Sequence, residues 1–493
     1  MKHRANKWLP LSLAAAMLMQ LSACGSQDKT GTAPETDPAE TAAAVETVPE
    51  EPEYDRLSEL GERDFGGRVY TILDSNNKPD THINMHSGEM TGELVNDALF
   101  ERDTYIEDTY AVKIAYEQIE GADIGANALK ASVMANDQAY DFCISILMSG
   151  SLGSLATQGI LANLLNIEDL SLDQSWWSRL MYDSMQLGGR MYYTTGDISP
   201  CMYQMAGAYF LNTGLCEDYG ITTDFCQLVR DGRWTLDAAY EVAKDKNQDV
   251  NADGIMHADD DFFGFIHQSY GITTAKSILI GAGVDLIKCL DDGTLVSAVN
   301  SEKTLETLEK TARLMTDVQY VEQNDIMSKT FAEDRALSMM HFTSSASVYL
   351  REMESPYLIL PMPKADEMQE TYRTYANPWM DSFVAIPRTA EYDFAGFISE
   401  ALAYYSYKNV RPLAYELTYM TKTARDENSA EMLGIIFDNL YLDFGCITDF
   451  GAQCEVLSAV LAGKADFSSS MAAQQKRLDK ELDTFSRAWM KND

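Results

Sequence analysis

Apolar and polar positions alternate along the first folded stretch of this chain in a strand–helix rhythm. Residues 68–73 (Arg-Val-Tyr-Thr-Ile-Leu) have the composition of a strand, and 74–79 (Asp-Ser-Asn-Asn-Lys-Pro) that of a loop. Val95, Leu99, Tyr105 and Ile106 fall on one helical face, predicting a helix over 96–110. Residues 112–116 alternate like a second strand, and 119–136 return to helical spacing. Residues 140–147 are almost continuously apolar, as a strand covered on both faces requires. A helix over 151–158 and an acidic-rimmed segment to Leu172 follow. This alternation predicts an α/β architecture with a mostly parallel sheet.

The rhythm then loosens. The pattern predicts a helix over 175–185, a strand and turn over 189–197, and a short strand over 208–212. Helices are expected at 237–244, 273–282, 301–315 and 330–333. Strands are expected at 336–342, opening into the polar run 343–347, and at 358–363 and 382–387. From Phe394 to Trp489 the chain reads as mainly helical, with starts near Asp393, Asn409 and Ser429, and no internal repeat is visible.

The N-terminus does not fit this scheme. Lys2, Arg4 and Lys7 precede a short apolar run, 9–21, which ends in Leu21-Ser22-Ala23-Cys24-Gly25. This resembles a bacterial lipoprotein signal, and the resemblance implies cleavage before Cys24 and lipidation of that residue. Residues 24–60 are rich in Thr, Pro, Ala, Glu and Asp, a composition that predicts a disordered acidic stalk. No later run of 18 or more apolar residues occurs, so lipid is the expected anchor.

Composition narrows the function. With 38 basic and 76 acidic residues in 493, the net charge is −38, which argues against nucleic-acid binding. The chain is long enough for two domains. Besides Cys24, seven cysteines are scattered without CxxC or Cys/His spacing, so neither a disulfide framework nor a zinc site is indicated. The 26 Tyr, 18 Phe and 6 Trp suit a protein that stacks rings on a ligand, and equally an aromatic core.

One stretch has the spacing of a calcium loop. Asp249, Asn251 and Asp253 occupy positions 1, 3 and 5, Gly254 the sharp turn, Ile255 the backbone-carbonyl position and Asp260 position 12. Asp replaces the longer Glu at position 12, and His257 at position 9 is a poor hard-cation ligand. The expectation is one structural Ca²⁺; the plainer alternative is a solvated acidic turn closing the preceding helix.

Further segments come in a characteristic order: Gly196-Asp197, Phe210-Leu211-Asn212, Gly232-Arg233-Trp234-Thr235, the Asp/Asn loop with its Phe263-Gly264-Phe265 exit, Leu360-Pro361-Met362-Pro363-Lys364, and Ala385-Ile386-Pro387. With the lipoprotein signal and the stalk, this resembles the extracellular, sugar-type solute-binding proteins of ABC importers, over roughly 60–493. The resemblance implies a two-lobed periplasmic-binding-protein-like (type II) fold, with a hinge, an interlobe ligand cleft and a helical C-terminal region. The expected lobes are 61–185 plus about 335–385, and about 186–334 plus 386–493. It also implies a monomer that captures a small solute by hinge closure, transforms nothing and delivers the solute to a membrane permease.

In open α/β sheets ligands lie beyond the carboxyl ends of the strands. The short polar residues there, Ser75, Asn76, Ser149, Ser344 and Ser345, are candidate hydrogen-bonding groups for a hydroxylated ligand. Trp379 beside Asp381, and Asp197 with Tyr203, are candidate ring-and-carboxylate pairs. Trp176 and Trp177 read as core plus rim, with Trp176 the stacking candidate, and Trp234 as structural. The competing classes are a secreted carbohydrate-active enzyme, a glycoside hydrolase or lyase, and a surface adhesin lipoprotein. Neither GxSxG nor HExxH occurs, and six histidines leave little for a His-based triad.

Overall fold

In a computed structural model of the chain, the described residues are 54–75, 85–147, 151–199, 204–268, 271–290, 292–299, 301–317, 321–322, 324–379, 382–414 and 427–491. The signal, Cys24 and the stalk to residue 53 lie outside them, as do Asn76, Ser149, Tyr203 and Asp381. Residues 55–493 form one compact unit.

Besides a small hairpin of Ile287–Cys289 with Leu295–Ser297, its strands are β1 (Arg68–Asp74), β2 (Val112–Gln118), β3 (Phe142–Ser145), β4 (Gly207–Asn212), β5 (Phe263–Gln268), β6 (Val321–Glu322), β7 (Ala336–Phe342), β8 (Tyr357–Leu360), β9 (Thr374–Tyr375), β10 (Phe383–Ala385) and β11 (Leu440–Tyr441). The helices used below are α1 (Arg56–Leu60), α2 (Leu94–Tyr110), α3 (Ala122–Ala135), α4 (Leu236–Ala243), α5 (Gly271–Gly281), α6 (Tyr392–Tyr405), α7 (Glu427–Asp438) and α8 (Phe467–Lys491).

Two main sheets result. The first has the order β10-β3-β1-β2, with β1, β2 and β3 parallel and β10 reversed. The second has the order β8-β4-β7-β5-β6, with β5, β6 and β7 parallel and β4 reversed against β7. Starting from its outer parallel strand, each sheet therefore runs through three parallel strands to one reversed strand. This is a repeat of topology that leaves no trace in the sequence. Strand β7 is buried along its whole length, as a central strand covered on both faces must be.

The reversed strands are the ones that have just arrived from the other sheet. Thr194 pairs with Val384 in both directions, at 3.0 and 2.8 Å, and Ala206 bridges Ala376. Residues 194 and 206 thus pair with residues 384 and 376, in opposite directions, between the sheets. Paired crossing segments of this kind are where hinge motion between lobes is absorbed.

These pairings revise two expectations. Residues 336–342 and 357–360 were assigned to the first lobe, yet β7 and β8 hydrogen-bond to β4 in the second sheet. Residues 392–405 were assigned to the second lobe, yet α6 packs on α2, and its Ser399 bonds Tyr70 of β1 at 2.7 Å. The expected stalk also ends sooner than residue 60. Asp55 caps α1 through Leu57 N, and the largely buried Arg56 donates to Glu400 of α6 at 3.0 Å.

Candidate functional site

The site is built where α6 ends. The chain leaves Tyr405 through a π-helical turn, Ser406–Val410, which brings Tyr407 and Arg411 toward the first crossing segment. There Gly196 lies against the Trp176–Trp177 backbone. A Cβ on Gly196 would meet the Trp176 carbonyl oxygen at 2.4 Å and the Trp177 Cα at 2.9 Å, so only glycine allows this approach. Asp197 N–H donates to Trp176 O at 2.9 Å, and Ser178 N–H to Thr195 O at 2.9 Å.

A cavity of about 320 Å³ results, lined by Trp177, Asp197, Tyr407 and Arg411, with Phe437 and Asp438 from the end of α7. Because α6 packs with the first sheet's layer and α7 against β8 of the second, the cavity is interlobe. Arg411 spans it, with Nη1 3.6 Å from Asp197 Oδ2, Nη2 3.5 Å from Asp438 Oδ1, and its guanidinium 5.5 Å from the Tyr407 ring centre. Burial pushes the Asp197 carboxyl up to about 8, outweighing the pull of Arg411. The walls thus offer three rings, a guanidinium and carboxyl groups, the mixture that grips the apolar face and the hydroxyls of a sugar ring.

The second layer of this wall is a buried carboxylate. Glu400 accepts from Trp176 Nε1 at 3.1 Å, Trp177 Nε1 at 2.8 Å, Ser171 N at 3.2 Å and Arg56 Nε at 3.0 Å. Trp176 is held edge-on to Tyr404 in the core, so its neighbour Trp177 is the indole that lines the cavity. Arg102 of α2 fixes the crossing segment from the other side, donating to Ile198 O and Ser406 Oγ at 3.3 Å each and to Tyr116 at 3.0 Å.

The other candidates are dispersed. Ser75, at the end of β1, is buried and donates to Ile144 O at 3.2 Å, with Ser145 Oγ at 2.8 Å. Ser344 is buried, its N–H on Gln204 O at 2.8 Å, and Ser345 Oγ contacts His341 Nδ1. Trp379, on the second crossing segment, is 51% exposed, with its N–H on Asn377 Oδ1. Trp234 is buried and donates to Pro361 O at 2.9 Å. Tyr407, Arg411 and Glu400 were not singled out; the signals pointing here were Gly196-Asp197 and the Trp176–Trp177 doublet, in which Trp176 was the stacking candidate.

The acidic loop lies between α4 and β5. Gly254 has φ +80°, and its N–H bonds Asp249 Oδ2 at 2.8 Å. Asp253 N–H bonds Asn251 Oδ1 at 2.9 Å, and Ile255 N–H bonds Asp253 Oδ1 at 2.8 Å. The Asn251 amide reaches Asp253 and Asp260 at 3.2 and 3.5 Å. Asp261, next to position 12, is the buried member and holds Val250 N and His257 N. Among the described residues, no three His, Cys, Asp or Glu side chains group as metal ligands. The carboxylates of Asp253 and Asp260 instead accept from the Asn251 amide.

No protein-family model and no curated protein matches the sequence. Solved structures do match. The cyclic alpha-maltosyl-1,6-maltose binding protein of Arthrobacter globiformis aligns with TM-score 0.54 at 13% identity, over 85% of this chain and 99% of its own. The GacH receptor of Streptomyces glaucescens, solved unliganded and with acarbose, aligns at 0.52 and 14%, over 85% and 99%. An ABC substrate-binding protein of Listeria monocytogenes, in complex with cycloalternan, aligns at 0.51 and 12%, over 85% and 99%. The fold is therefore that of the two-lobed substrate-binding proteins of ABC importers.

Proposed function

We propose that this chain is the solute-capturing component of an ABC importer and that its ligand is a carbohydrate. The carrying observation is the interlobe cavity at the paired crossing segments, within a fold whose matched structures were determined with oligosaccharides or related ligands. Ligand bridging Trp177, Tyr407 and Arg411 to the α7 end shifts a hinge equilibrium toward the closed form. The closed form, tethered by lipid on Cys24 at the outer face of the cell membrane, hands the sugar to a permease. No chemical step on the ligand is involved. Asp249, Asn251, Asp253, Asp260 and the Ile255 carbonyl hold one Ca²⁺ that staples the α4–β5 connection.

Calorimetry of the folded chain against a panel of neutral and acidic oligosaccharides tests this, with small-angle scattering on the same samples. Binding accompanied by a smaller radius of gyration is the expected result. Binding of no sugar, or turnover of one, overturns the reading.

A further inference from the structure

The C-terminal helix α8 buries one face, with Phe467, Met471, Leu478, Leu482 and Trp489 in the core. A neighbouring face of the helix stays outside the core. Two of its i,i+4 rows, residues 476, 480, 484 and 488 and residues 473, 477, 481 and 485, line an open groove of about 820 Å³. Thr157, at the end of the short helix Leu152–Thr157, and Phe450 line it from the other side. Phe450 and Phe485 stand edge to face in this groove, 5.2 Å between ring centres. An apolar centre inside a charged rim is the anatomy of a protein interface.

The rim is cationic on a strongly acidic chain. Arg477 is matched by Glu481 at 2.8 Å, and Glu481 also accepts from Gly451 N–H at 2.7 Å. Lys476 and Lys480 are exposed, and among the described residues their ammonium groups make no hydrogen bond or ion pair. The nearby acids of the same helix do not line the groove: Asp479 accepts from Gln475 at 2.8 Å, and Asp483 pairs with Arg487. The chain as a whole carries a net charge of −38, so most of its surface repels an acidic partner. At physiological salt charges are screened beyond about 8 Å, so in close contact two local lysines outweigh the remote acids.

We propose that this groove is a docking surface for an acidic peptide segment of a partner protein. Carboxylates of the segment sit on Lys476 and Lys480, and an apolar side chain packs against Phe450 and Phe485. Charge and shape select this occupant. A second copy of the chain would set the same cations against each other in a symmetric contact. A bilayer surface is flat and leaves the groove unfilled, and anionic lipid is repelled by the rest of the chain.

The test is selection of displayed random dodecapeptides on the whole folded chain, with counter-selection on the Lys476→Glu/Lys480→Glu variant. The recovered peptides should carry several Asp or Glu and a large apolar residue. Their affinity should fall about tenfold or more on the double Glu variant and by less on Lys476→Gln/Lys480→Gln. It should also fall between about 50 mM and about 500 mM salt. Both lysines are exposed, so both variants should keep the wild-type unfolding midpoint. Recovery of no peptide, or of peptides without an acidic bias, overturns the inference. Two other outcomes overturn it as well. Binding to phosphatidylglycerol vesicles that the double Glu variant loses would make the occupant a membrane, and a concentration-dependent dimer that the same variant dissolves would make it a second copy.

Discussion

The indole nitrogen of Trp177 donates to Glu400 at 2.8 Å, while the same tryptophan lines the interlobe cavity. The wall of the cavity is thus set by a carboxylate that does not itself line it. Glu400 is 0% exposed, and its only nearby cation among the described ion pairs is Arg56. Replacing it with Gln leaves the largely buried Arg56 with only the exposed Glu59 as countercharge and turns one acceptor into a donor facing indole N–H groups. Glu400→Gln is expected to cost about 3 kcal/mol, in the range for breaking a buried pair. Urea unfolding checks this; a loss under about 1 kcal/mol would show that solvent reaches the group.

Asp197 makes a prediction about pH. Its folded-state carboxyl is raised to about 8, so between the ordinary Asp range and pH 8 the folded chain keeps a proton that the unfolded chain releases. The contribution of this group is therefore largest at low pH and declines as pH rises through that window. Asp197→Asn cannot lose that proton. Its stability relative to wild type should rise by at least about 1 kcal/mol from pH 5 to pH 8, since one pKa unit corresponds to ~1.4 kcal/mol. Thermal or urea melts at the two pH values decide it, and a gap independent of pH counts against the buried carboxyl.

Tyr407 and Arg411 stand partly in the open, so their replacement tests ligand contact without removing core. Tyr407→Ala and Arg411→Met should each weaken binding of the best sugar about tenfold or more, while unfolding midpoints move by only a few degrees. Affinity unchanged in both would place the ligand elsewhere between the lobes.

The strands were legible wherever burial was two-sided. Residues 336–342 were expected as a strand and form one, because a central strand is buried throughout and here mostly apolar. Strand β5 was hidden: Phe263-Gly264-Phe265 read only as the exit of the acidic loop. Gly264 is needed there because a Cβ would meet Ala243 O at 2.0 Å. Sheet membership was not legible at all for β7 and β8, since strand patterns carry burial but not partners. In the site, Asp197 was visible from its Gly-Asp turn. Arg411, 214 residues after Asp197, was not, because its place depends on the π-helical turn before it, and nothing local marks that turn as facing Asp197. Of the Trp176–Trp177 pair, read as core plus rim with Trp176 the stacking candidate, Trp177 is the one that lines this cavity. Both indoles reach Glu400, and Trp176 packs edge-on against Tyr404 while Trp177 lines the cavity.

The acidic loop supplies the last test. Its Asp249, Asp253 and Asp260 are solvent-exposed carboxylates on a short path, held near one another only by loop backbone and the Asn251 amide. Like charges so placed repel, and a bound Ca²⁺ would remove that repulsion while fixing the α4–β5 connection. A ligand present at a hundred times its Kd stabilises the folded state by about 2.7 kcal/mol. Adding millimolar Ca²⁺ to chelator-treated protein should therefore raise the unfolding midpoint by several degrees, and equal Mg²⁺ by much less, because the smaller ion gives up its water reluctantly. Asp253→Ala should abolish the shift without lowering the midpoint of the chelated protein, since it removes one of the repelling charges. An unchanged midpoint on adding Ca²⁺ would reduce the loop to a solvated turn, in which Gly254 serves only its positive φ.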